Sequence, residues 1–491
     1  MKIRFLSWIA GIPVAMLNRK AASEIGVHPK DRVSIKTLGR DFRSFTTIID
    51  TVKSFVKKDE IVVSSEIKDI LKLKSGQKVD VSLAEIPKSL EYIKNKLSSK
   101  RFSRDEIFEI TKDIVSNSLS ESEIALFVSA MYQKGMNFQE TIYLIEAILN
   151  SGDRLYLNNK VIVDKHCVGG IPGNRTTPVV VSICASAGLT FPKTSSRAIT
   201  SAAGTADVVE TIAKVDFEMK DLKKIIQKTN ACMVWGGSLG LVPADEKIIQ
   251  IEKALKIDPK SQLLASIMSK KLAVGSNHIL IDLPYGKTAK LQNRHKALAL
   301  KKNFERIGKY FKMKLKCVLT DGSQPIGNGI GPVLEMMDII KILDPEQRGP
   351  KDLEEKALFL SGEIFELTGK ARKGKGIELA KQILYSGKAF KKFKEIIKAQ
   401  KGSLKGLKLP KFKKDILANK NGKVKYIDNH RISSLARAAG SPLDKSSGIY
   451  LHVHVGYEFE KGEKLITIYS ESKSRLNEAI RFYKRERPII F

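Results

Sequence analysis

Between Lys160 and about Lys401, short apolar runs alternate with longer stretches whose apolar residues recur at three- and four-residue spacing. This alternation predicts an α/β fold, with a mostly parallel mixed sheet flanked by helices. The predicted strands are 160–164, 231–235, 278–283 and 316–320, and the predicted helices are 176–187, 205–213, 260–273 and 332–343. Ligands of such sheets bind beyond the carboxyl ends of the strands, so we expect a site in the turns there.

The remaining segments have other patterns and predict α+β additions. Residues 1–84 contain short strands separated by turn signals, which indicates a β-rich, barrel-like N-terminal domain. Residues 85–152 have helical spacing, with capping boxes at Ser103, Ser120 and Asn137. We therefore predict a helical domain at 85–152, an α/β phosphate- and nucleotide-binding domain at 153–401, a basic linker at 402–422 and a C-terminal α+β domain at 423–491.

Charge is the abnormal part of the composition. The 491 residues carry a formal net charge of +33, and fourteen lysines between Gly387 and Lys425 face only two acidic residues. A basic nucleic-acid-binding protein is one interpretation. The lysines run along the whole chain, however, and no zinc-finger, RNP or helix-turn-helix pattern is present, which favours a solvated surface. The positive electrostatic potential of such a surface would also suit phosphorylated substrates.

The sequence favours a cytoplasmic protein. The four cysteines show neither close pairs nor metal-ligand spacing, and no apolar run has the ~18 residues that a membrane helix needs. The apolar stretch 5–17 resembles a short signal peptide, but Gly11 and Pro13 interrupt it, so buried strands are the preferred interpretation.

Two polar, glycine-containing loops follow neighbouring predicted strands. The first is the run Asp164-Lys-His-Cys-Val-Gly-Gly-Ile-Pro-Gly-Asn-Arg-Thr-Thr, which leads from a strand into a helix. The second, 193–207, carries six hydroxyl groups, one arginine and a glycine before another helix. Glycines let the main chain approach an anion, and the N–H groups that begin a helix point at it. Together the loops predict a phosphate site.

The motifs Asp164-Lys-His-x-x-Gly-Gly, Ser195-x-Arg197 and Gly204-Thr205 resemble those of the pyrimidine-nucleoside phosphorylase family. The resemblance covers roughly residues 85–488. The N-terminal domain and the run 192–201 are similar to those of AMP phosphorylases and their long-form relatives. The family reaction is attack of phosphate on the anomeric carbon with departure of the base, and for AMP the products are adenine and ribose 1,5-bisphosphate.

The resemblance also implies roles for individual residues. The phosphate-binding residues would be Lys165, Thr176, Ser195 and Thr205. The substrate-binding residues would be Gly170, Ser196, Arg197, Ala198, Ile199, Thr200, Ser201, Thr205, Ser266 and Lys290. Asp258 would be the proton donor to the leaving base. Such a donor has to be protonated in the working complex, a state that burial favours. By its position alone, Asp258 could instead cap a helix before Pro259.

Two positions depart from the short-form thymidine phosphorylases of the family. Cys167 stands where they carry a serine hydroxyl, and a thiol is a weaker donor to phosphate. Ile251 stands where they carry an arginine that reads the base. An aliphatic residue cannot supply that contact, so the departure favours a nucleotide substrate.

The resulting hypothesis is phosphorolysis of nucleoside 5′-monophosphates, with AMP preferred and CMP and UMP as further candidates. Thymidine phosphorolysis is the nearest alternative, and a magnesium-dependent phosphoribosyltransferase of the anthranilate type is another enzyme with a similar fold. We expect no cofactor, no metal site, no membrane and no specific nucleic acid. Inorganic phosphate would be a co-substrate, and a homodimer or larger homo-oligomer is expected.

Overall fold

The computed structural model describes residues 1–6, 13–39, 41–198 and 201–491. These residues form two compact units, Met1–Gly152 with Pro243–Ser266, and Asp153–Val242 with Ile267–Phe491. The strands are β1 (Lys2–Phe5), β2 (Ala15–Asn18), β3 (Arg32–Thr37), β4 (Ser44–Val52), β5 (Glu60–Val63), β6 (Val79–Leu83), β7 (Val163–Cys167), β8 (Phe191–Ser195), β9 (Ala231–Trp235), β10 (His278–Tyr285), β11 (Lys314–Asp321), β12 (Gly329–Ile330), β13 (Phe412–Leu417), β14 (Gly422–Lys423), β15 (Tyr426–Ile427), β16 (Gly448–Leu451), β17 (Glu458–Phe459), β18 (Lys464–Ser470) and β19 (Ile489–Ile490).

The α-helices are α1 (Arg19–Glu24), α2 (Ser65–Leu71), α3 (Ser89–Leu97), α4 (Arg104–Val115), α5 (Glu121–Lys134), α6 (Phe138–Asn150), α7 (Thr176–Ser186), α8 (Thr205–Val209), α9 (Met219–Thr229), α10 (Pro243–Leu255), α11 (Lys260–Ala273), α12 (Arg294–Tyr310), α13 (Pro332–Leu343), α14 (Lys351–Thr368), α15 (Gly376–Tyr385), α16 (Lys388–Ala399), α17 (Asn429–Ala439) and α18 (Lys473–Glu486). A 3-10 turn covers Gly236–Leu239.

The first unit begins with a six-stranded sheet in the order β1-β5-β2-β4-β3-β6. The two outer strands of this order also meet, because Lys2 bridges to Lys78 and Met1 exchanges main-chain hydrogen bonds of 2.7 and 2.8 Å with Val79. Alternate residues of β3 are buried, as expected for a sheet with one face on the core. The barrel-like N-terminal domain is therefore confirmed.

A helical bundle follows the barrel in the same unit. Ser103, Ser120 and Asn137 each accept a hydrogen bond from the main chain three residues on and form the capping boxes of α4, α5 and α6. A buried ion pair lies inside the bundle, with Lys96 Nζ 2.6 Å from Glu140 Oε1. The predicted helix starts thus agree with the structure, since each cap satisfies N–H groups that the helix itself cannot.

Helix α10 also belongs to the first unit, although the sequence analysis assigned residues 243–266 to the α/β segment 153–401. The reason is packing against α4 and α5, where Lys247 Nζ donates to the carbonyl oxygens of Ile114 and Val115 at 2.8 and 2.9 Å. Both carbonyls belong to the last turn of α4, where the helix itself leaves acceptors without intrahelical donors. The chain thus returns to the bundle before it passes through α11 into the second unit.

Parallel strands organise the second unit. Strands β11, β10 and β7 pair in parallel, as do β8 and β9, and a parallel bridge joins Ile162 before β7 to Thr190 before β8. The carboxyl ends of the five strands are Cys167, Ser195, Trp235, Tyr285 and Asp321. Helix α7, whose side chains are nearly all buried, packs against α14 and α16 on this sheet. The predicted α/β architecture is confirmed, and ligands are expected at these strand ends.

Five predicted elements differ in their bounds, and two of them differ by three residues or more at one end. The first strand of the sheet was predicted at 160–164 but extends to Cys167, because Lys165, His166 and Cys167 continue the parallel ladder with β10. The helix predicted at 205–213 ends at Val209.

The C-terminal part of this unit contains an antiparallel sheet in the order β12-β16-β18-β13, with α17 and α18 packed on it. Strand β13 lies inside 402–422, which the sequence analysis expected to be a linker. This expectation was wrong for Phe412–Leu417, because these residues pair with β18. Lys413 and Lys414 are exposed on this edge strand, and such charges protect a sheet edge from further pairing.

Across the described residues, no helix has both the length and the apolar character needed to cross a membrane. The other proposed domain boundaries remain predictions.

Candidate active site

Lys165 lies on β7, inside the second unit, and contacts the first residue of α7. Its Nζ donates to Thr176 Oγ1 at 2.7 Å, and only 1% of the lysine side chain is exposed. The glycine-containing turn 168–175 brings the helix start back to the end of the strand. Two residues of the predicted phosphate set are thus in direct contact beside the N–H groups of the first helical turn, which lack partners within their helix.

The Asp164 carboxylate accepts hydrogen bonds from three parts of the second unit. Its Oδ1 accepts from the main-chain N–H of Lys165 at 2.6 Å and from Lys193 Nζ at 3.0 Å. Its Oδ2 accepts from Lys271 Nζ at 2.6 Å. The sequence analysis gave no role to Lys193 or Lys271. The sequence analysis placed Lys193 in the loop 193–207, whereas the structure places it inside β8, where a buried lysine needs a buried acidic partner.

A second buried carboxylate lies on the neighbouring strand β10. Asp282 accepts from Thr320 Oγ1 at 2.6 Å and lies 3.2 Å from Lys356 Nζ. Four buried ammonium groups, those of Lys165, Lys193, Lys271 and Lys356, therefore lie beside two buried carboxylates. The carboxylates are those of Asp164 and Asp282. The interior beside the end of β7 has an excess of positive charge that suits a dianion.

Burial lowers the pKa of Lys165 from 10.5 to about 8, with nearby Lys356 and Lys193 acting in the same direction. Burial likewise lowers the pKa of Lys271, although Asp164 opposes the shift. A bound anion would favour the ammonium forms again, so binding of an anion and protonation of these lysines support each other.

Arg175 connects the two predicted phosphate loops. Its Nη1 donates to Thr205 Oγ1 at 2.9 Å and its Nη2 to the carbonyl of Ala203 at 2.7 Å, while its Nε donates to buried Glu335 at 2.7 Å. Arg175 immediately precedes Thr176 in the chain. The structure therefore joins Thr205 by a hydrogen bond to the residue that precedes Thr176, an arginine to which the sequence analysis gave no role.

Ser195, in the second loop, is the last residue of β8, and its Oγ donates to the carbonyl of Val234 on β9 at 3.2 Å. Arg197 forms a bidentate ion pair with Glu210 at 2.6 and 2.7 Å and lies over the Trp235 ring. The pair with Arg197 lowers the pKa of Glu210 to about 2, and Lys445 contacts the same carboxylate.

One carboxylate oxygen joins the two ends of this loop. Asp207 Oδ2 accepts from the main-chain N–H groups of Ala198 and Gly204 at 2.7 and 2.8 Å. Gly204 is required here, since a Cβ would lie 2.6 Å from Ala198 N. Within the predicted substrate set, Ser196 is exposed and Ser201 is half-buried, with its Oγ donating to Ala203 O at 3.0 Å. Ile199 and Thr200 lie outside the described residues.

Gly170 and Lys290 are neighbours, although 120 positions separate them in the sequence. Gly170 has a φ of +91°, and a Cβ on it would lie 2.5 Å from Lys290 N. Only glycine fits both the conformation and the close approach. The structure thus brings together two residues of the predicted substrate set that follow different strands.

Asp258 and Ser266 belong to the first unit. Asp258 lies in the short connection between α10 and α11 and is exposed, so the burial that the sequence analysis invoked for a protonated acid is not observed. Ser266 Oγ donates to fully buried Asp245 at 2.9 Å, and Gln262 donates to the same carboxylate at 2.9 Å. Ser266 is therefore fixed by a hydrogen-bond partner that the sequence did not suggest.

The residues that depart from the short-form pattern have ordinary surroundings. Burial raises the pKa of the Cys167 thiol to about 11, and Asn174 Nδ2 lies 3.3 Å from its sulfur. Ile251 is buried on α10.

His166 follows Lys165 on β7. Burial, reinforced by Lys271 and Lys193, holds the pKa of His166 well below its usual range, so this imidazole is neutral at pH 7.

Family models match most of the chain. Models of the glycosyl transferase family match its helical bundle domain at residues 90–152 and its a/b domain at residues 159–390. A model of the pyrimidine nucleoside phosphorylase C-terminal domain matches residues 423–489.

Curated relatives are similar along nearly the whole chain. The AMP phosphorylase of Pyrococcus furiosus is 42% identical over 99% of this chain and 97% of its own length. The AMP phosphorylase of Methanococcoides burtonii is 39% identical over 100% and 97%. A Legionella pneumophila (strain Corby) protein, provisionally named a thymidine phosphorylase, is 42% identical over 95% and 89%.

A solved structure shares the fold at low identity. The anthranilate phosphoribosyltransferase of Thermus thermophilus superposes with a TM-score of 0.52 at 16% identity, covering 63% of this chain and 99% of that one. The fold, the matched domains and the full-length similarity confirm the resemblance of the motifs: this chain belongs to the pyrimidine-nucleoside phosphorylase family of pentosyltransferases, in the long form that AMP phosphorylases share.

Proposed function

We propose that this enzyme cleaves AMP with inorganic phosphate to give adenine and ribose 1,5-bisphosphate, with CMP and UMP as further candidate substrates. The observation that carries the proposal is the buried ammonium of Lys165 on Thr176 Oγ1, within an interior that has excess positive charge. Full-length similarity to two AMP phosphorylases supports a nucleotide over a nucleoside.

In this reaction the attacking phosphate is both nucleophile and counter-charge. Lys165 and Thr176 would hold it at the end of β7, and Thr205, positioned by Arg175, would hold it from the second loop together with Ser195. Cleavage of the glycosidic C–N bond develops positive charge on the ribose, which a fixed dianion stabilises. Holding the phosphate in line with the anomeric carbon also removes most of the entropic cost of a two-substrate reaction.

The leaving base gains negative charge and needs a proton. We assign this proton transfer to Asp258, as the resemblance implies, with Gly170, Lys290, Ser266 and the run from Ser196 to Ser201 as substrate contacts. Because Asp258 is exposed, its protonated form would have to be favoured by the bound nucleotide and phosphate, whose negative charges disfavour a nearby carboxylate.

The substrate assignment is tested by measuring phosphate-dependent release of free base from AMP, CMP, UMP, thymidine and uridine, with and without Mg²⁺. We expect AMP to have the highest kcat/KM and Mg²⁺ to have no effect, since inorganic phosphate is the co-substrate and we propose no cofactor. Best activity on thymidine would support the alternative that the Legionella relative suggests. Dependence on Mg²⁺ and a ribosyl diphosphate would instead support phosphoribosyl transfer.

The buried aliphatic Ile251 is the observation that weighs against thymidine. The short-form enzymes read the pyrimidine with an arginine at this position, and a buried isoleucine cannot donate to a carbonyl group. The proposal extends to a cytoplasmic homo-oligomer without a membrane or specific nucleic-acid partner.

The apparent second-order rate constant for phosphate should fall as the pH rises above about 8. Lys165 binds phosphate as a cation, and its pKa is about 8. Above that pH, kcat/KM for phosphate should drop about tenfold per pH unit, while kcat holds to higher pH because bound phosphate favours the ammonium. Initial rates between about pH 7 and 10, at constant ionic strength and saturating AMP, measure this. A kcat/KM that stays flat to about pH 10 would exclude Lys165 as the titrating group.

The net charge of +33 is expected to act as a solvated surface, not as a specific nucleic-acid site. Binding to double-stranded DNA should therefore be weak and should disappear steeply with added salt, as nonspecific phosphate contacts do. Fluorescence anisotropy with two unrelated duplexes between about 50 and 200 mM salt measures this. Tight, sequence-selective binding at the upper salt concentration would favour the nucleic-acid-binding alternative.

A further inference from the structure

Lys193 lies on β8 and reaches across to the main chain of Lys165. Its Nζ donates to the Lys165 carbonyl at 2.8 Å and to Asp164 Oδ1 at 3.0 Å. The same Oδ1 accepts from the Lys165 N–H at 2.6 Å. Asp164 therefore holds the main-chain N–H of Lys165, and Lys193 holds its carbonyl.

These contacts are well shielded from water. Asp164 is fully buried and the Lys193 side chain is 5% exposed. Charge-assisted hydrogen bonds are strong in such surroundings, and their loss is not made good by solvent. The position of Lys165 Nζ depends on its own main chain, so the two contacts restrict where the ammonium can lie on Thr176 Oγ1.

We propose that Lys193 is a positioning residue that fixes the main chain of Lys165 and thereby orients the Lys165 ammonium toward the attacking phosphate. This inference rests on the proposed function, because it assigns Lys193 a role in the binding of phosphate to that site. Lys193 does not touch the reacting atoms, and acts through Lys165.

Lys271 provides a matched comparison. It also donates to Asp164, through Oδ2 at 2.6 Å, but no contact of its side chain with the Lys165 carbonyl is present among the described residues. Removing either lysine removes one positive charge beside the same carboxylate. Only the removal of Lys193 also removes the hydrogen bond to the Lys165 carbonyl, so the pair separates positioning from charge.

The experiment compares Lys193→Met, Lys193→Arg, Lys271→Met and the exposed-surface control Lys228→Met with the wild type. Rates are measured with phosphate varied at saturating AMP and with AMP varied at saturating phosphate. We expect Lys193→Met to lower kcat/KM for phosphate roughly 10- to 100-fold, with KM for AMP changed less than about twofold. Lys193→Arg should recover most of the lost kcat/KM for phosphate. The loss in Lys271→Met should be smaller than that in Lys193→Met by a factor of at least about three, and Lys228→Met should match the wild type.

An active Lys193→Met enzyme with an unchanged KM and kcat/KM for phosphate would overturn the inference, and so would equal losses in Lys193→Met and Lys271→Met. If Lys193→Met does not fold, Lys193→Gln is measured by the same criteria. Failure of both to fold would assign Lys193 to folding and reject the positioning role. A wild type that releases no base from any substrate would instead refute the proposed function itself.

Discussion

Replacing Lys165 by methionine is expected to abolish most phosphorolysis while leaving the protein folded. The side chain contacts Thr176 Oγ1, in the first residue of α7, at 2.7 Å and supplies a buried positive charge there. Loss of one preorganised charged contact lowers the rate by roughly 10²–10³. Steady-state rates with phosphate varied at saturating AMP measure the effect, and the exposed Lys228→Met is the control.

The same substitution should not destabilise the protein. Burial lowers the pKa of Lys165 to about 8, so its charge costs the folded state about 3 kcal/mol at neutral pH. Because the pKa is lower in the folded than in the unfolded chain, this cost is fully present below pH about 8 and disappears toward pH about 10.5. Methionine has a similar length and no charge, and thermal unfolding at pH 7 should therefore occur at the wild-type temperature or above it.

Measuring both stability and activity thus distinguishes loss of the phosphate contact from loss of folding in an inactive variant. Loss of activity with retained stability supports the assignment of Lys165 to phosphate. An active Lys165→Met enzyme whose rate still saturates with phosphate would reject it.

Asp258→Asn is expected to lower the turnover of AMP by roughly 10²–10⁴, because asparagine keeps the shape but cannot transfer a proton to the departing adenine. AMP binding should change far less, since the phosphate loops of the second unit are intact. Any activity on UMP or thymidine should fall less, because a pyrimidine base departs with less need of a ring-nitrogen proton. Rates on the three substrates at saturating phosphate test this.

The exposed position of Asp258 makes a matched acidic control necessary. Asp69 on α2 is also exposed and belongs to the same unit, so Asp69→Asn should retain wild-type rates on every substrate. Unchanged rates in Asp258→Asn would remove Asp258 as the proton donor. If thymidine were also the best wild-type substrate, the AMP assignment would be wrong as well.

The arrangement around Asp164 explains why the proposed phosphate site would cost stability. Lys165, Lys193 and Lys271 all lie within the interior, and burial lowers the pKa of both Lys165 and Lys271. Two carboxylates, Asp164 and Asp282, compensate only part of this charge. The uncompensated part is available to a dianion, so affinity for phosphate and destabilisation of the free protein have the same origin.

Local patterns in the sequence determined much of this protein. The capping residues Ser103, Ser120 and Asn137 begin helices because their side chains satisfy N–H groups three residues away, which is a local interaction. Helices α11 and α13 also begin and end at the predicted residues, because the apolar spacing that sets a helix's buried face is local as well. The order of strands and glycine-containing turns also predicts a phosphate site at the end of β7, and this remains a prediction.

Contacts between distant segments were decided only by the tertiary structure. No local pattern shows that α10 returns to the helical bundle, that β13 pairs with β18, or that Gly170 meets Lys290. The partners of Asp164 come from positions 193 and 271, and a lysine there has the same local signature as a surface lysine. Spacing along the chain identifies residues that share a face, whereas burial of a charge depends on which distant group compensates it, and that is fixed only when the chain is folded.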